Sequence, residues 1–218
     1  IRRASYRQIM EHRPTLDEFV PHRSSIMKII VISRPDFFEG ETLIVEKLFE
    51  CGLERLHLRK PHCEEKALED WIKDISEAYR RRIVLHDHFG LASQYSLGGV
   101  HLNSRNPLPP SRVHGMTISR SCHSIEELKA YKGQCDYLFL SPIYDSISKE
   151  GYGSAFSRQT LDMAASEGII DYKTYALGGV SIEHIEELKS IGFGGAAVLG
   201  ALWQSDRPEE YLKRLLEE

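Results

Sequence analysis

Cysteine is scarce in this 218-residue chain. The four present, Cys51, Cys63, Cys122 and Cys135, include no C-x-x-C pair. Without such a pair or a secretory context they read as reduced thiols of a cytoplasmic protein, with Cys51 and Cys135 as packing residues. Long hydrophobic runs are missing too, and none approaches the ~20 residues of a membrane-crossing helix. Charge of one sign is not in excess. Lys and Arg total 28 against 32 Asp and Glu, a formal net charge of −4. That balance gives no reason to expect nucleic acid or a membrane surface as partner. Residues 1–26 show only weak periodicity, are rich in Arg and His, and lack the apolar centre of a signal peptide. They are expected to be an N-terminal extension outside the core, with one domain spanning 27–218.

What is present is ordinary for a soluble globular chain, 41% hydrophobic and 28% charged. From residue 28 onward, short apolar or alternating runs recur at 28–33, 55–59, 83–86, 99–102, 116–119, 137–141, 174–177 and 196–199. Helical patterns lie between them. The clearest places Leu68, Trp71, Ile72, Ile75, Ala78 and Tyr79 on one face and Glu69, Asp70, Lys73 and Asp74 opposite. Others cover 42–49, 124–131, 159–166, 182–190 and 208–216, and Pro107, Pro109 and Pro110 shorten the region after the fourth run. Eight strands alternating with helices in about 190 residues predict a single-domain α/β protein, a (β/α)8 TIM barrel, with a doubly wound sheet as the competitor.

The most informative stretch is Tyr175-Ala176-Leu177-Gly178-Gly179-Val180-Ser181 with Ala196-Ala197-Val198-Leu199-Gly200-Ala201-Leu202 about twenty residues on. Each is an apolar run ending in glycine and leading into a helical pattern. Glycine leaves backbone N–H groups approachable, and two such turns side by side form a phosphate cradle. In (β/α)8 barrels that cradle typically follows strands seven and eight.

Chemistry in such a barrel collects at the C-terminal strand ends. In order, those ends carry His57-Leu58-Arg59-Lys60, His86-Asp87-His88, His101, Ser121-Cys122-His123, and the loop over 141–154. That loop holds Lys149 between glycines and serines, where the cation can reach a phosphate and Gly151 and Gly153 allow closure. The histidines admit a second reading: His86 and His88, two apart and facing the same way if the strand continues, lie with His57 and His101 near them, so that three imidazoles and Asp87 could bind Zn²⁺ for hydrolysis.

These residues resemble the superfamily of thiamine phosphate synthase and the TenI-like thiazole tautomerases. The carriers are Leu56-His57-Leu58-Arg59-Lys60, Leu85-His86-Asp87-His88, Gly99-Val100-His101-Leu102, Arg120-Ser121-Cys122-His123-Ser124, Ser141-Pro142-Ile143-Tyr144 with Lys149, Leu177-Gly178-Gly179-Val180 and Ala197-Val198-Leu199-Gly200. The resemblance implies a thiamine-biosynthetic transferase joining hydroxymethylpyrimidine diphosphate to thiazole phosphate with release of pyrophosphate. It implies Mg²⁺ as cofactor and a homodimer as the assembly. Carried over by position, Arg59 and Lys149 would hold the diphosphate, Ser121 would hydrogen-bond near the leaving group, and Asp87 would bind Mg²⁺. Gly178, Gly179, Leu199 and Gly200 would cradle the thiazole phosphate. His57, Lys60, His86, His88 and Asn106 fall at substrate-binding positions.

Several positions depart from the synthase pattern. His57 stands where it has glutamine, His88 where it has arginine, Asn106 where it has a second metal-binding aspartate, and Pro61 where it has lysine, with Lys60 adjacent as a substitute. The tautomerase alternative is suggested by Arg120-Ser121-Cys122-His123-Ser124, with His123 and Cys122 as the nearby acid/base candidates and His57 a more distant one; its usual histidine falls on Pro142. A third alternative is a non-catalytic regulator that binds thiazole phosphate.

Overall fold

A computed structural model describes residues 27–111, 115–144 and 156–218. The expected extension over 1–26 lies outside the described residues. Eight parallel strands close into a barrel in chain order: β1 (Lys28–Ile32), β2 (Arg55–Leu58), β3 (Ile83–Leu85), β4 (Gly99–Leu102), β5 (Thr117–Cys122), β6 (Tyr137–Leu140), β7 (Thr174–Ala176) and β8 (Gly195–Val198). Closure is set by Lys28–Val31 of β1 pairing with Gly195–Val198 of β8. The (β/α)8 expectation holds, and the open doubly wound sheet is excluded by that ladder.

Helices α1 (Glu41–Glu50), α2 (Glu65–Asp74), α3 (Gly90–Gln94), α4 (Ile125–Tyr131), α5 (Arg158–Ser166), α6 (Ile185–Ile191), α7 (Gly200–Trp203) and α8 (Pro208–Glu217) follow the strands. No helix separates β4 from β5 among the described residues, where the prolines stand. The outer core lies between strands and helices and is aliphatic, with Val45, Leu48, Leu56, Leu58, Leu68, Ile72, Leu85, Leu188 and Leu212 all buried.

Two elements differ from their sequence patterns. The helix expected to run on to Tyr79 ends at Asp74, with Ile75 and Ser76 extended, and resumes as a 3-10 turn over Glu77–Arg82. A tertiary bond holds the break: the Ser76 N–H donates to Glu46 Oε1 at 2.7 Å. Strand β5 runs three residues further than its apolar run, because Arg120, Ser121 and Cys122 still pair with Leu138, Phe139 and Leu140. Its inward residues there are serines, so hydrophobicity does not mark it.

The barrel interior is unusually polar for a layer normally filled by branched aliphatics. Alternation within strands turns Arg55 and His57, Ser119 and Ser121, and Tyr137 and Phe139 inward, together with His101. Near the N-terminal end of the barrel, Gly195 makes room for the Tyr175 ring, since a Cβ there would sit 2.0 Å from Cε1.

Candidate active site

At the C-terminal end of the barrel, a cavity of about 390 Å³ opens among Arg59, His86, Asn103, Arg105, Arg120, Ser121, His123, Ser141 and Leu177. Each comes from a strand end or the loop beyond it. The end of β2 is tied to that of β1 by buried Ser33, whose Oγ accepts from Arg59 N (2.8 Å) and donates to Arg59 O (3.2 Å). That tie places the Arg59 side chain on the cavity wall, where its guanidinium makes no hydrogen bond among the described residues. Burial lowers its proton affinity most, Arg105 adds to that, and Asp87 opposes it.

The loop after β4 is organised by Asn103. Its Nδ2 donates to His86 O (2.8 Å) and His101 O (3.0 Å), and its Oδ1 accepts from the N–H groups of Arg105 (3.0 Å) and Asn106 (3.2 Å). Arg105 is thereby set against Asp87 in a two-point pair, Nε to Oδ1 at 3.1 Å and Nη2 to Oδ2 at 3.0 Å. Asn106 Nδ2 also donates to Asp87 Oδ1 (2.9 Å) and to His86 O (3.0 Å). Asn106 therefore braces Asp87 and lies off the cavity wall.

On the opposite wall, Arg120 donates to Pro107 O (2.6 Å) and lies over the Tyr131 ring. Its Nε is buried without a partner. Ser121 Oγ lies 2.8 Å from His101 Nε2. His123 Nδ1 lies 3.1 Å from Ser141 O and 3.2 Å from Ser141 Oγ. Cys122, next to both, is sealed in the core with its thiol pushed up to about 12 by burial, which removes it as a nucleophile or proton carrier.

Below the cavity lies a cluster of imidazoles. The ligand-type atoms of His57, His86 and His101 all fall within 4.8 Å of one another. His57 is bonded on both nitrogens, to His86 Nε2 (2.9 Å) and Tyr137 OH (2.7 Å), and His101 on both, to Ser119 (2.8 Å) and Ser121 (2.8 Å). Burial depresses all three proton affinities, bringing His101 to about 3, so the rings are neutral. No carboxylate belongs to the group, and Arg59 and Arg105 both act on His86. The zinc reading is disfavoured on both counts, since a dication there would meet guanidinium groups and no anion.

The glycine turns stand where the pattern placed them. Gly178 (φ 95°) and Gly179 (φ 63°) are both left-handed. A Cβ on Gly178 would sit 2.9 Å from Pro142 Cα, so only glycine fits. Their N–H groups make no backbone bond among the described residues. Leu199 precedes Gly200 at the start of α7, and Trp203 Nε1 anchors that turn to Ile32 O at 2.7 Å.

Other expected residues stand elsewhere. Lys60 is a correction: fully buried, it is bonded to Glu41 Oε1 (2.6 Å) and Oε2 (2.8 Å), Arg34 O (3.0 Å) and Asp36 O (2.8 Å), and it points away from the cavity. His57 is a second correction, lying beneath the cavity without reaching it. His88 is a third, turned to Cys63 O at 2.8 Å. Lys149, Gly151 and Gly153 lie outside the described residues. Arg105, Asn103 and Arg120 were missed as site residues, although Arg105 and Asn103 follow the β4 end as His123 follows that of β5.

Three guanidinium groups line one cavity at the C-terminal end of a (β/α)8 barrel, beside Leu177 and the Gly178–Gly179 turn it leads into. The comparisons agree. Residues 29–202 match the family described as thiamine monophosphate synthase, and the chain belongs to that family. The thiamine-phosphate synthase of Enterobacter sp. strain 638 is 28% identical over 169 residues, covering 74% of this chain and 80% of its own length. The crystal structure of thiamine phosphate pyrophosphorylase from Bacteroides thetaiotaomicron superposes with a TM-score of 0.78 at 42% identity, over 87% of this chain and 95% of that one. The enzyme of the same name from Pyrococcus furiosus, at 18% identity and a TM-score of 0.72, over 88% of this chain and 94% of that one, shows the shared fold.

Proposed function

We propose that this protein is a thiamine phosphate synthase, joining hydroxymethylpyrimidine diphosphate to thiazole phosphate and releasing pyrophosphate. The observation that carries the reading is the Arg59 guanidinium, free of hydrogen-bond partners among the described residues and lining the same cavity as Leu177, which leads into the open Gly178–Gly179 turn. One wall suits a diphosphate and the other a phosphate monoester.

The cationic wall does its work as the C–O bond to pyrophosphate breaks. Negative charge grows on the leaving group there, and donors already in place stabilise it without reorganising. Arg59 and Lys149 would hold the diphosphate, and Ser121 would hydrogen-bond beside it. Gly178, Gly179, Leu199 and Gly200 would hold the thiazole phosphate so that its ring nitrogen faces the carbon that pyrophosphate leaves, which is catalysis by positioning. His86, kept neutral by burial, adds hydrogen-bonding capacity without adding charge, and His123 lines the same cavity.

Asp87 would be the protein ligand of Mg²⁺. A hard carboxylate, 13% exposed and paired with the cavity-lining Arg105, fits a cation that typically takes one or two carboxylates with substrate phosphates. When bound, Mg²⁺ supplies charge neutralisation at the diphosphate. In the described arrangement both Asp87 oxygens are paired with Arg105, so that pair must open first. Among the described residues no helix is long and apolar enough to cross a membrane. We place the reaction in the cytoplasm, with small phosphorylated molecules as partners and a homodimer as the assembly.

The test is synthesis from the two precursors with Mg²⁺. Thiamine phosphate and pyrophosphate in equal amounts are expected, and no product across metals and pH would remove the reading.

A further inference from the structure

Hydrogen bonds run the length of the barrel interior and end at the cavity. Arg55, at the N-terminal end of β2, directs Nη1 at Thr117 Oγ1 (2.7 Å) and at Tyr137 OH (3.2 Å). Tyr137 OH lies 2.7 Å from His57 Nε2, and His57 Nδ1 lies 2.9 Å from His86 Nε2. His86 lines the cavity, and its Nδ1 has no hydrogen-bond partner among the described residues.

The direction of this series follows from its first member. A guanidinium only donates, so the Tyr137 oxygen accepts from Arg55. The phenol proton is then left for His57 Nε2, at a short O–H···N distance. A neutral imidazole that accepts at Nε2 carries its proton at Nδ1, so His57 donates to His86 Nε2. His86 accepts at Nε2 in turn and carries its own proton at Nδ1. Two protons on His86 would set its Nε2–H against the Nδ1–H of His57 at 2.9 Å, so the geometry itself requires an accepting Nε2. Run the other way, the Tyr137 proton would have to leave its 2.7 Å partner His57 for Ser119 or Thr117, whose hydroxyls also interact with the phenol.

We infer that Arg55, Tyr137 and His57 act as a directional relay that fixes the His86 tautomer, so that the cavity floor presents an Nδ1–H donor. All three are positioning residues acting through His86. The site they prepare selects a substrate atom with a lone pair over one bearing a hydrogen, because a second donor placed there would leave both unpaired. The inference deepens the synthase reading by assigning polarity to its cavity floor.

The experiment is ¹⁵N NMR of the full chain with labelled histidine and no substrate. Two-bond couplings separate Nδ1–H from Nε2–H rings. Wild-type protein should show His57 and His86 both as Nδ1–H, and either ring as Nε2–H or doubly protonated overturns the relay. Arg55→Gln replaces the obligate donor with a side chain that can also accept, and Tyr137→Phe removes the link. Each should lower the His86 ratio of Nδ1–H to Nε2–H at least about fivefold, the bias of one ordinary hydrogen bond. An unchanged His86 tautomer in both variants would refute control by Arg55 and Tyr137. The spectra need no turnover, so absence of synthesis would leave the inference standing.

Discussion

Replacing Lys60 separates a structural cation from a catalytic one that is its neighbour in the chain. The Lys60 ammonium is fully buried and shares four oxygens: both of Glu41 and the carbonyls of Arg34 and Asp36. Glu41 is equally buried, and among the described residues its carboxylate has only Trp71 Nε1–H (3.0 Å) besides. Burial pushes the Glu41 carboxyl up and the Lys60 ammonium down, and in each case the partner works against the shift. Lys60→Ala therefore strands a carboxylate in the core and frees the loop over 34–40. Breaking a buried pair in this way costs about 3–5 kcal/mol. For a chain of this size that lowers Tm by about 6–20 °C. Thermal unfolding and urea denaturation measure it, alongside the KM for the diphosphate substrate well below the new Tm. The expected result is a large loss of stability with KM nearly unchanged. A double variant, Glu41→Leu with Lys60→Met, should recover most of the loss, because neither buried charge remains and water can serve the loop carbonyls. A loss under about 1 kcal/mol, or a raised KM at unchanged Tm, would refute the structural role.

Three further outcomes are expected. Stability should fall in acid: His101 titrates near 6.5 when unfolded and at about 3 when folded, so between those values the unfolded chain binds the extra proton. Its stabilising neutrality is complete above pH 6.5 and is lost as pH falls toward 3, a loss of about 2 kcal/mol between pH 7 and pH 5 for this residue. Urea midpoints at the two pH values measure it, and His101→Gln should flatten the slope. Arg105→Ala should lower the Mg²⁺ concentration giving half-maximal synthesis, because Asp87 loses its two-point partner. A raised requirement would show that Arg105 assists the metal. Gly178→Ala should weaken thiazole phosphate binding at least about tenfold, since a Cβ collides with Pro142 at a φ of 95°. Calorimetric titration of the thiazole phosphate reads this, and unchanged affinity would take the turn out of the cradle.

The eight strands and most helices were legible in the chain because short apolar runs bounded by turn residues have few other uses. The glycine turns were legible for a related reason: Leu177-Gly178-Gly179 is backbone chemistry, and backbone chemistry is written locally. Side-chain direction was less accessible. Arg59 and Lys60 are adjacent cations of equal appeal for a diphosphate. Yet Arg59 continues the inward set of Arg55 and His57, while Lys60 continues the outward set of Leu56 and Leu58 toward the helices, where Glu41 receives it. Period-two counting along β2 contains that signal, but it acquires meaning only once the barrel is closed.

The local sequence by itself determined where strands begin and end and which turns could admit an anion, since these follow from hydrophobicity, glycine and neighbouring residues. Only the tertiary structure decided which charges share a cavity. Arg59, Arg105 and Arg120 come from three different strand ends, and Arg55, Tyr137, His57 and His86 from three strands brought together inside one cylinder. Alone in the sequence, an arginine, a tyrosine and two histidines in strands carry no mutual relation. Their hydrogen bonds have geometry only after closure removes water and brings each donor within reach of its acceptors.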